Sequence, residues 1–260
     1  MKILLSNKFY YPRGGDCIYM IGLEELLKKN GHEVAIFTQE YQDNLDSKYK
    51  DYWPSKVDYS SKNISNLSES LLRPIYSKEV NKKFRSLIND FKPDLIHLNN
   101  IHSQLSPSIA EIAYKRDIPV VWTLHDYKLL CPSYSCLLNG KPCELCFTDK
   151  INVIKNRCVK NIVGSTIAYA EAKKWNKEKL ELYTNRFIAP SNFMKDKMIQ
   201  GGYSSGKIDV INNFIDDSKI NKNVSPKEDY YLYFGRFSKE KGVGSLLKAA
   251  SSLKYNLKLA

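Results

Sequence analysis

Residues 1–38, MKILLSNKFYYPRGGDCIYMIGLEELLKKNGHEVAIFT, hold a strand, a loop, a helix and a second strand in succession. MKILLS is a short apolar run without polar alternation, the pattern of a strand buried on both faces. The loop after it ends at Gly14 and Gly15. From Asp16 the apolar residues recur at helical spacing until Asn30-Gly31, a pair that ends helices because both residues accept a left-handed backbone. EVAIFT is a second buried-type strand. The same order continues outward: DLIHLN is a strand, SQLSPSIAEIAYKRD a helix and IPVVWTL a strand. After a cysteine-bearing loop come a helix over residues 166–183, the strand NRFIAP, a helix from Ser191 and the strand KIDVINN. Apolar runs separated by helices predict an α/β chain built on a doubly wound parallel sheet, covered on both faces. Residues 40–75 are polar and tyrosine-rich and predict a long loop with short helices.

The pattern changes at residues 213–228, which are polar, contain Pro226 and lack apolar periodicity, and so predict a linker. Beyond it YYLYFG restarts the strand–turn–helix order and YNLKLA begins another strand. The expected organisation is a first domain over residues 1–212, the linker, and the start of a second domain over 229–260. About thirty residues make no core of their own, so the second domain is expected to be incomplete.

At 260 residues with 43% hydrophobic and 26% charged residues, the composition is that of an ordinary globular protein. No run approaches the roughly 18 apolar residues a membrane span needs, and the first apolar run is too short for the core of a secretory signal. These features predict a cytoplasmic protein. A net charge of +12 fits nucleic acid, an anionic membrane face or a phosphorylated substrate. It also fits lysines spread over solvated faces, as in EAKKWNKEKLE, where both signs mix at helical spacing. There is no arginine-rich run and no nucleic-acid motif, so nucleic acid is not an expected partner.

Four stretches carry candidate chemistry. In YFGRFSKEKG, Gly235 allows a turn after an aromatic strand, and Arg236 and Lys241 converge near the start of a helix. A helix N-terminus favours anions, Arg binds a diphosphate bidentately and Lys adds a point charge; the alternative is a basic surface turn. Gly14 and Gly15 stand between a strand and a helix, where a doubly wound sheet binds ligands and where glycines let backbone approach a phosphate or sugar. An ordinary flexible loop has the same sequence, and the pair does not match the GxGxxG dinucleotide fingerprint. In VVWTLHDYKLLCP, His125 and Asp126 follow a buried strand. His125 is placed to bond a sugar hydroxyl or a developing charge, or simply caps the strand edge. His97 and His102 lie at a neighbouring strand end, and His32 after a helix stop reads as structural.

Five of the six cysteines fall within CPSYSCLLNGKPCELCFTDKINVIKNRC, residues 131–158. Cys131, Cys143, Cys146 and Cys158 are spaced C-x11-C-x2-C-x11-C, and four thiolates can close a structural zinc site that stiffens a loop without its own core. Cys136 is then a spare and Cys17 a small buried residue. Reduced thiols are the other reading, since disulfides are rare in a reducing cytoplasm. Four cysteines would leave no open position for a catalytic metal.

Taken together, KILLSNKFYYPRGG, PDLIHLNN, VVWTLHDYKLLCP, RFIAPSNFMKDKMI and YLYFGRFSKEKGVGSLLKA resemble the retaining, nucleotide-sugar-dependent glycosyltransferases of the glycogen-synthase-like group. The resemblance is to bacterial members that assemble capsule, O-antigen and other surface polysaccharides, and it runs along nearly the whole chain in order. It implies the GT-B fold, two Rossmann-like domains facing across a cleft, with the acceptor on the first and the sugar nucleotide on the second. It implies that Gly14 and Gly15 approach the donor phosphates, that His125 lies near the donor sugar, and that Arg236 and Lys241 hold the donor diphosphate. With Arg and Lys neutralising the leaving group, no cofactor or divalent metal is required for catalysis. The family's paired glutamates, seven residues apart in the second domain, have no counterpart before Ala260.

The expected function is therefore transfer of a sugar from a nucleotide-sugar donor to a glycan or lipid-linked acceptor, with this chain alone transferring poorly or not at all. A second reading makes it an acceptor-binding module that works with a separate donor-binding partner. The basic excess adds an expected peripheral contact with the anionic inner membrane face, near a lipid-linked acceptor.

Overall fold

A computed structural model describes residues 1–57, 69–217, 220, 228–238, 241–253 and 256–260. Contacts divide the chain into two compact units, Met1–Asp216 and Asp217–Ala260.

In the first unit the apolar runs become strands β1 (Lys2–Ser6), β2 (Glu33–Phe37), β3 (Leu95–Leu98) and β4 (Val120–Thr123). A short antiparallel hairpin, β5 (Leu137–Leu138) and β6 (Lys141–Pro142), stands apart in the cysteine-bearing loop. Strands β7 (Arg186–Ala189) and β8 (Ile208–Val210) complete the main sheet. Its order is β2-β1-β3-β4-β7-β8, and every neighbouring pair is parallel. The direction of winding reverses between β1 and β3. Open α/β sheets bind ligands at such a reversal, outside the carboxyl ends of the strands.

Helices cover both faces because the strands are apolar on both. On one face Ile3 and Leu5 of β1 and Val34 and Ile36 of β2 pack with Met20 of helix α1 (Gly15–Lys29) and with Trp53. On the other, Leu4, Ala35 and Phe37 join Ile96, Leu98, Val120, Trp122, Phe187 and Ile208 in the main core. Helix α2 (Lys78–Phe91) supplies Val80, Phe84, Leu87, Ile88 and Phe91 to that core. Their spacing of four, three, one and three residues is one stripe of a helix. Ser77 caps its start by accepting from Val80 N, and Lys92 ends it in the left-handed region at φ 53°. The sequence reading assigns no element here. Each such side chain, fully buried, contributes about 1.5–3 kcal/mol of transfer free energy.

Two predicted helices differ in extent. The one expected from Ser103 begins at Ser108, as α3 (Ser108–Tyr114). Ser103 and Ser106 both have positive φ, 67° and 65°, and Pro107 has no amide hydrogen to continue a helix backward. The cysteine-bearing loop contains the single turns α4 (Leu145–Thr148) and α5 (Asn152–Lys155). The helix expected over 166–183 is two, α6 (Ile162–Lys174) and α7 (Lys177–Tyr183), because Trp175 leaves helical geometry and Asn176 starts afresh, its side chain accepting from Lys179 N. Helix α8 (Asn192–Gln200) is capped by Ser191, which accepts from Met194 N. The predicted loop over 40–75 holds a 3-10 turn at Lys50–Tyr52, and its residues 58–68 lie outside the described residues.

Most of the predicted linker, residues 218–219 and 221–227, lies outside the described residues as well. Phe214, within that predicted linker, packs into the first unit with its ring 5.6 Å from that of Tyr19. The second unit pairs β9 (Tyr230–Tyr233) in parallel with β10 (Asn256–Leu259), and helix α9 (Val243–Ala250) makes the crossover. None of its described residues is buried. Leu232, Phe234, Leu247 and Leu259 are exposed.

Candidate functional site

The carboxyl ends of β1, β3 and β4 bring together Asn7, Asn99 and Asn100, and His125 with Asp126. Backbone bonds hold these turns against each other: Asn99 N donates to Ser6 O at 2.8 Å and Lys8 N to Asn100 O at 2.9 Å. The buried Asn7 adds a side-chain bridge, its Oδ1 accepting from Asn100 N at 2.9 Å while its Nδ2 donates to Phe9 O at 3.0 Å. From below, the indole of Trp122 donates to Asn99 O at 2.9 Å. Buried amides paired this fully cannot reorient cheaply.

This network orients His125. Asn99 Nδ2 donates to Ser6 O at 3.4 Å, which leaves Asn99 Oδ1 facing His125 Nε2 at 3.0 Å. An amide oxygen only accepts, so Nε2 carries the proton and Nδ1 is the acceptor nitrogen of the neutral ring. The edge of the Tyr19 ring, 5.1 Å away, closes one side. Burial pushes the imidazole down to about pKa 4, against the opposing pull of the Asp16 and Asp126 carboxylates. His97, buried beneath and bonded to Thr123 Oγ1 at 2.7 Å, is also pushed to about 4, by burial and then by His125. Both rings are neutral at pH 7.

Gly14 and Gly15 open α1 beside this edge. Gly14 is extended (φ −167°, ψ −179°), and among the described residues no side chain caps the helix, so its first amides are left as donors for a ligand or water. A Cβ on Gly15 would meet nothing within 4 Å, and one on Gly14 only Asp16 Oδ1 at 3.6 Å. Neither the backbone nor the packing of the chain requires glycine here. Asp16, in the first turn, keeps Oδ2 buried without a hydrogen-bond partner among the described residues. Uncapped amides, a carboxylate and an accepting imidazole together offer both donors and acceptors to a polar ligand.

Within the second unit Arg236 and Lys241 are exposed. Gly235 takes φ 152° and its N donates to Ala260 O at 3.0 Å, and Tyr233 Oη donates to Arg236 O at 2.9 Å. Gly242, in the left-handed region at φ 70°, caps α9 directly after Lys241. Lys239 and Glu240 of the same loop lie outside the described residues.

In the cysteine-bearing loop Cys131 is buried and its sulfur lies within hydrogen-bonding reach of Cys136, Cys146 and Ser133, the last at 3.1 Å. These contacts push the Cys131 thiol down and, together with burial, those of Cys136 and Cys146 up. Cys136, the spare of the spacing argument, is one of the three, whereas Cys143 meets the group through its backbone, its N donating to Cys136 O at 2.8 Å. Among the described residues no set of three or more His, Cys, Asp and Glu side chains is arranged to hold a metal ion. The four cysteines suggested by spacing do not stand as a cage among the described residues.

Asn99 and Asn100 are not among the residues the sequence singles out, although two asparagines directly after an apolar strand mark the carboxyl edge. Neither are Glu171, Lys128 or the buried face of His102. Glu171 Oε2 lies 2.9 Å from Lys128 Nζ, and its Oε1 lies 3.8 Å from His102 Nδ1. His32 Nδ1 lies 3.4 Å from the amino terminus. Among the described residues no helix is long and apolar enough to cross a membrane.

The sheet order and the ligand-ready switch point define an α/β protein of the Rossmann-like GT-B type, and solved structures share this fold. The chain superposes on Anabaena Alr3699/HepE in complex with UDP and glucose with a TM-score of 0.51 at 17% identity, covering 100% of this chain and 60% of that one. On sucrose-phosphate synthase from Thermosynechococcus elongatus the TM-score is 0.58 at 14% identity, covering 99% and 61%. Residues 14–219 match the family described as Glycosyltransferase Family 4, and the chain belongs to that family. It is 28% identical over 265 residues to an uncharacterized 42.6 kDa protein in the cps region of Klebsiella pneumoniae, covering 96% of this chain and 65% of that protein. The chain thus spans about two thirds of the length of this relative.

Proposed function

We propose that the chain acts in transfer of a glycosyl unit from a nucleotide-sugar donor to a glycan or lipid-linked acceptor, in assembly of a cell-surface polysaccharide and with retention at the anomeric carbon. Family membership supports the reaction class. The cps-region relative supports the surface-polysaccharide setting, and the UDP and glucose held by Alr3699/HepE support a sugar nucleotide. One observation carries the assignment to this site. Gly14 and Gly15 leave open space before an uncapped helix N-terminus, where the chain's own conformation needs no glycine.

In this reading the backbone at Gly14 and Gly15 approaches the donor phosphates. His125, neutral and with Nε2–H committed to Asn99, accepts from a sugar hydroxyl through Nδ1. Arg236 and Lys241 neutralise the leaving diphosphate as the sugar becomes oxocarbenium-like; preorganised groups of this kind contribute ~10²–10³-fold each. Calorimetric titration of the purified chain with UDP-, GDP- and ADP-glucose, followed by assay of nucleotide release with bacterial membranes as acceptor, tests the proposal. Binding of at least one donor is expected, with release that is slow from the chain alone, faster with co-purified protein, and lost in His125→Ala. Failure of every donor to bind, alone or with co-purified protein, overturns it.

The second unit, with no buried residue among those described, favours one variant of this reading: the first unit binds acceptor while a separate protein completes donor binding. Co-purification of a small α/β protein that restores nucleotide release is the expected result; release by the chain alone at full rate removes the variant. The net charge of +12 supports peripheral contact with an anionic membrane. Flotation with phosphatidylglycerol vesicles, lost in high salt, is expected; equal flotation with neutral vesicles rules it out.

A further inference from the structure

A cavity of about 460 Å³ lies beyond His125, between the loops after β3 and β4, the junction of α6 with α7, and the cysteine-bearing loop. Its lining includes His102, Lys128, Phe147, Tyr169 and Glu171. His102 and Leu129 also line the small space at His125, so the two adjoin. We propose that this cavity is a subsite for a neutral saccharide, the acceptor of the transfer reaction, seated on Glu171 and His102.

The chemistry of the wall selects the ligand. Glu171 is only 4% exposed and His102 only 9%. Glu171 Oε1 and His102 Nδ1 face each other at 3.8 Å, beyond hydrogen-bonding distance, and among the described residues neither buried atom has a hydrogen-bond partner. Such groups carry the full cost of desolvation until something pairs with them. A hydroxyl donates and accepts at once, so one ligand hydroxyl satisfies the carboxylate and the ring together. Lys128 holds the carboxylate charged, and the pair keeps Glu171 below the usual range despite burial. The wall's charges nearly balance, with Lys128, Lys150, Lys173 and Lys177 against Asp149, Glu171 and Glu178; Lys128 is held by Glu171 and Pro132 O, Lys150 by the carbonyls of Leu129 and Leu130, Lys177 by Gly202 O, and Lys173 lies over the Tyr169 ring at 5.9 Å. A wholly apolar ligand would leave the two buried atoms unpaired. The volume lies in the range of small-ligand sites, and Phe147 and Tyr169 supply aromatic surface for the apolar face of a sugar ring.

The cavity adjoins the proposed reacting region where it shares His102 and Leu129 with the space at His125, so its role as acceptor subsite rests on the transferase reading, whereas saccharide binding itself does not. The test is saturation-transfer NMR on the purified chain with the methyl glycosides of glucose, galactose, N-acetylglucosamine and rhamnose. At least one is expected to receive saturation. Glu171→Gln is expected to weaken it ~10-fold or more, the scale for losing a charge-assisted hydrogen bond. Thr148→Trp, an exposed change on the cavity rim that touches neither buried group, fills the entrance and is expected to abolish the signal, and it decides the matter if Glu171→Gln does not fold. No signal from any of the four, or a signal that persists in the folded Thr148→Trp protein, overturns the proposal. Failure of donor binding with glycoside binding intact would instead remove the transferase reading and leave the saccharide site standing.

Discussion

His125 Nε2 stands 3.0 Å from Asn99 Oδ1, across a register that pairs Leu98 with Trp122. One residue beyond β3 thereby fixes the tautomer of a residue beyond β4. Replacing Asn99 by Asp keeps the shape and adds a charge. A carboxylate at this distance stabilises the imidazolium, so the His125 pKa is expected to rise from about 4 by ~1–3 units. Titration of the ring followed by nitrogen-15 NMR reads the shift directly. An unchanged or lower value means that Asn99 does not face the ring through its oxygen.

The two buried imidazoles make stability depend on pH in a defined direction. His97 and His125 fall to about 4 in the folded chain and titrate near 6.5 when unfolded. Between these values the unfolded state binds more protons, so stability is whole above pH 6.5 and is lost as pH falls toward 4. The loss is at most about 3 kcal/mol for each ring. Urea midpoints at pH 7.5 and 5 should therefore differ. His97→Gln, which keeps a partner for Thr123, should show a smaller difference, and an identical pH dependence in the variant would refute the assignment.

The sheet is legible in the sequence because each strand is an apolar run long enough to be buried on both faces, and because Asn30-Gly31 and Ser191 mark helix ends locally. What depends on distant partners is not. Trp175 continues an apolar helical pattern, yet its indole donates to Ile75 O at 3.0 Å, a hundred residues away, and the helix breaks there. Asn99 gains its role from the register of β3 against β4, and Glu171 from a lysine and a histidine on two other loops. The cysteine spacing pointed to Cys143 and Cys158, while the hairpin of β5 and β6 folds Cys136 back so that Cys143 N donates to its carbonyl at 2.8 Å.

Gly15→Leu separates a ligand role for the glycine pair from a folding role. The added side chain meets open space at the first position of α1, and leucine gains ~0.5–1 kcal/mol of helix propensity over glycine. The melting temperature should hold or rise slightly while affinity for UDP-glucose falls by ~10-fold or more, or about 1.4 kcal/mol. A destabilised protein, or one that binds the nucleotide unchanged, shows that the loop is not an approach for the donor.

Hydrogen exchange should distinguish the two units. β3 lies between β1 and β4 and contributes Ile96 and Leu98 to the main core. The pair β9 and β10 contains no buried residue. Amides with little buried apolar cover open at low free energy, so Tyr231 and Leu257 should exchange far faster than Ile96 and Leu98. Equal protection would mean that the second unit has cover which its own residues do not provide.

Arg236 and Lys241 are exposed on a turn that Gly235 and Gly242 shape, and their proposed partner is a diphosphate. Arg236→Ala removes a bidentate, charge-assisted contact, and such contacts are worth roughly 1.5–3 kcal/mol. UDP affinity should therefore fall ~10–100-fold. Lys241→Ala removes a point charge and should cost less, because a compact ammonium makes no two-pronged contact with the phosphates. Arg236→Lys should recover only part of the loss. Surface electrostatics of this kind weaken with ionic strength, so the gap between wild type and Arg236→Ala should narrow as salt is raised. If calorimetry finds UDP bound equally well by all four proteins, the turn does not hold the diphosphate.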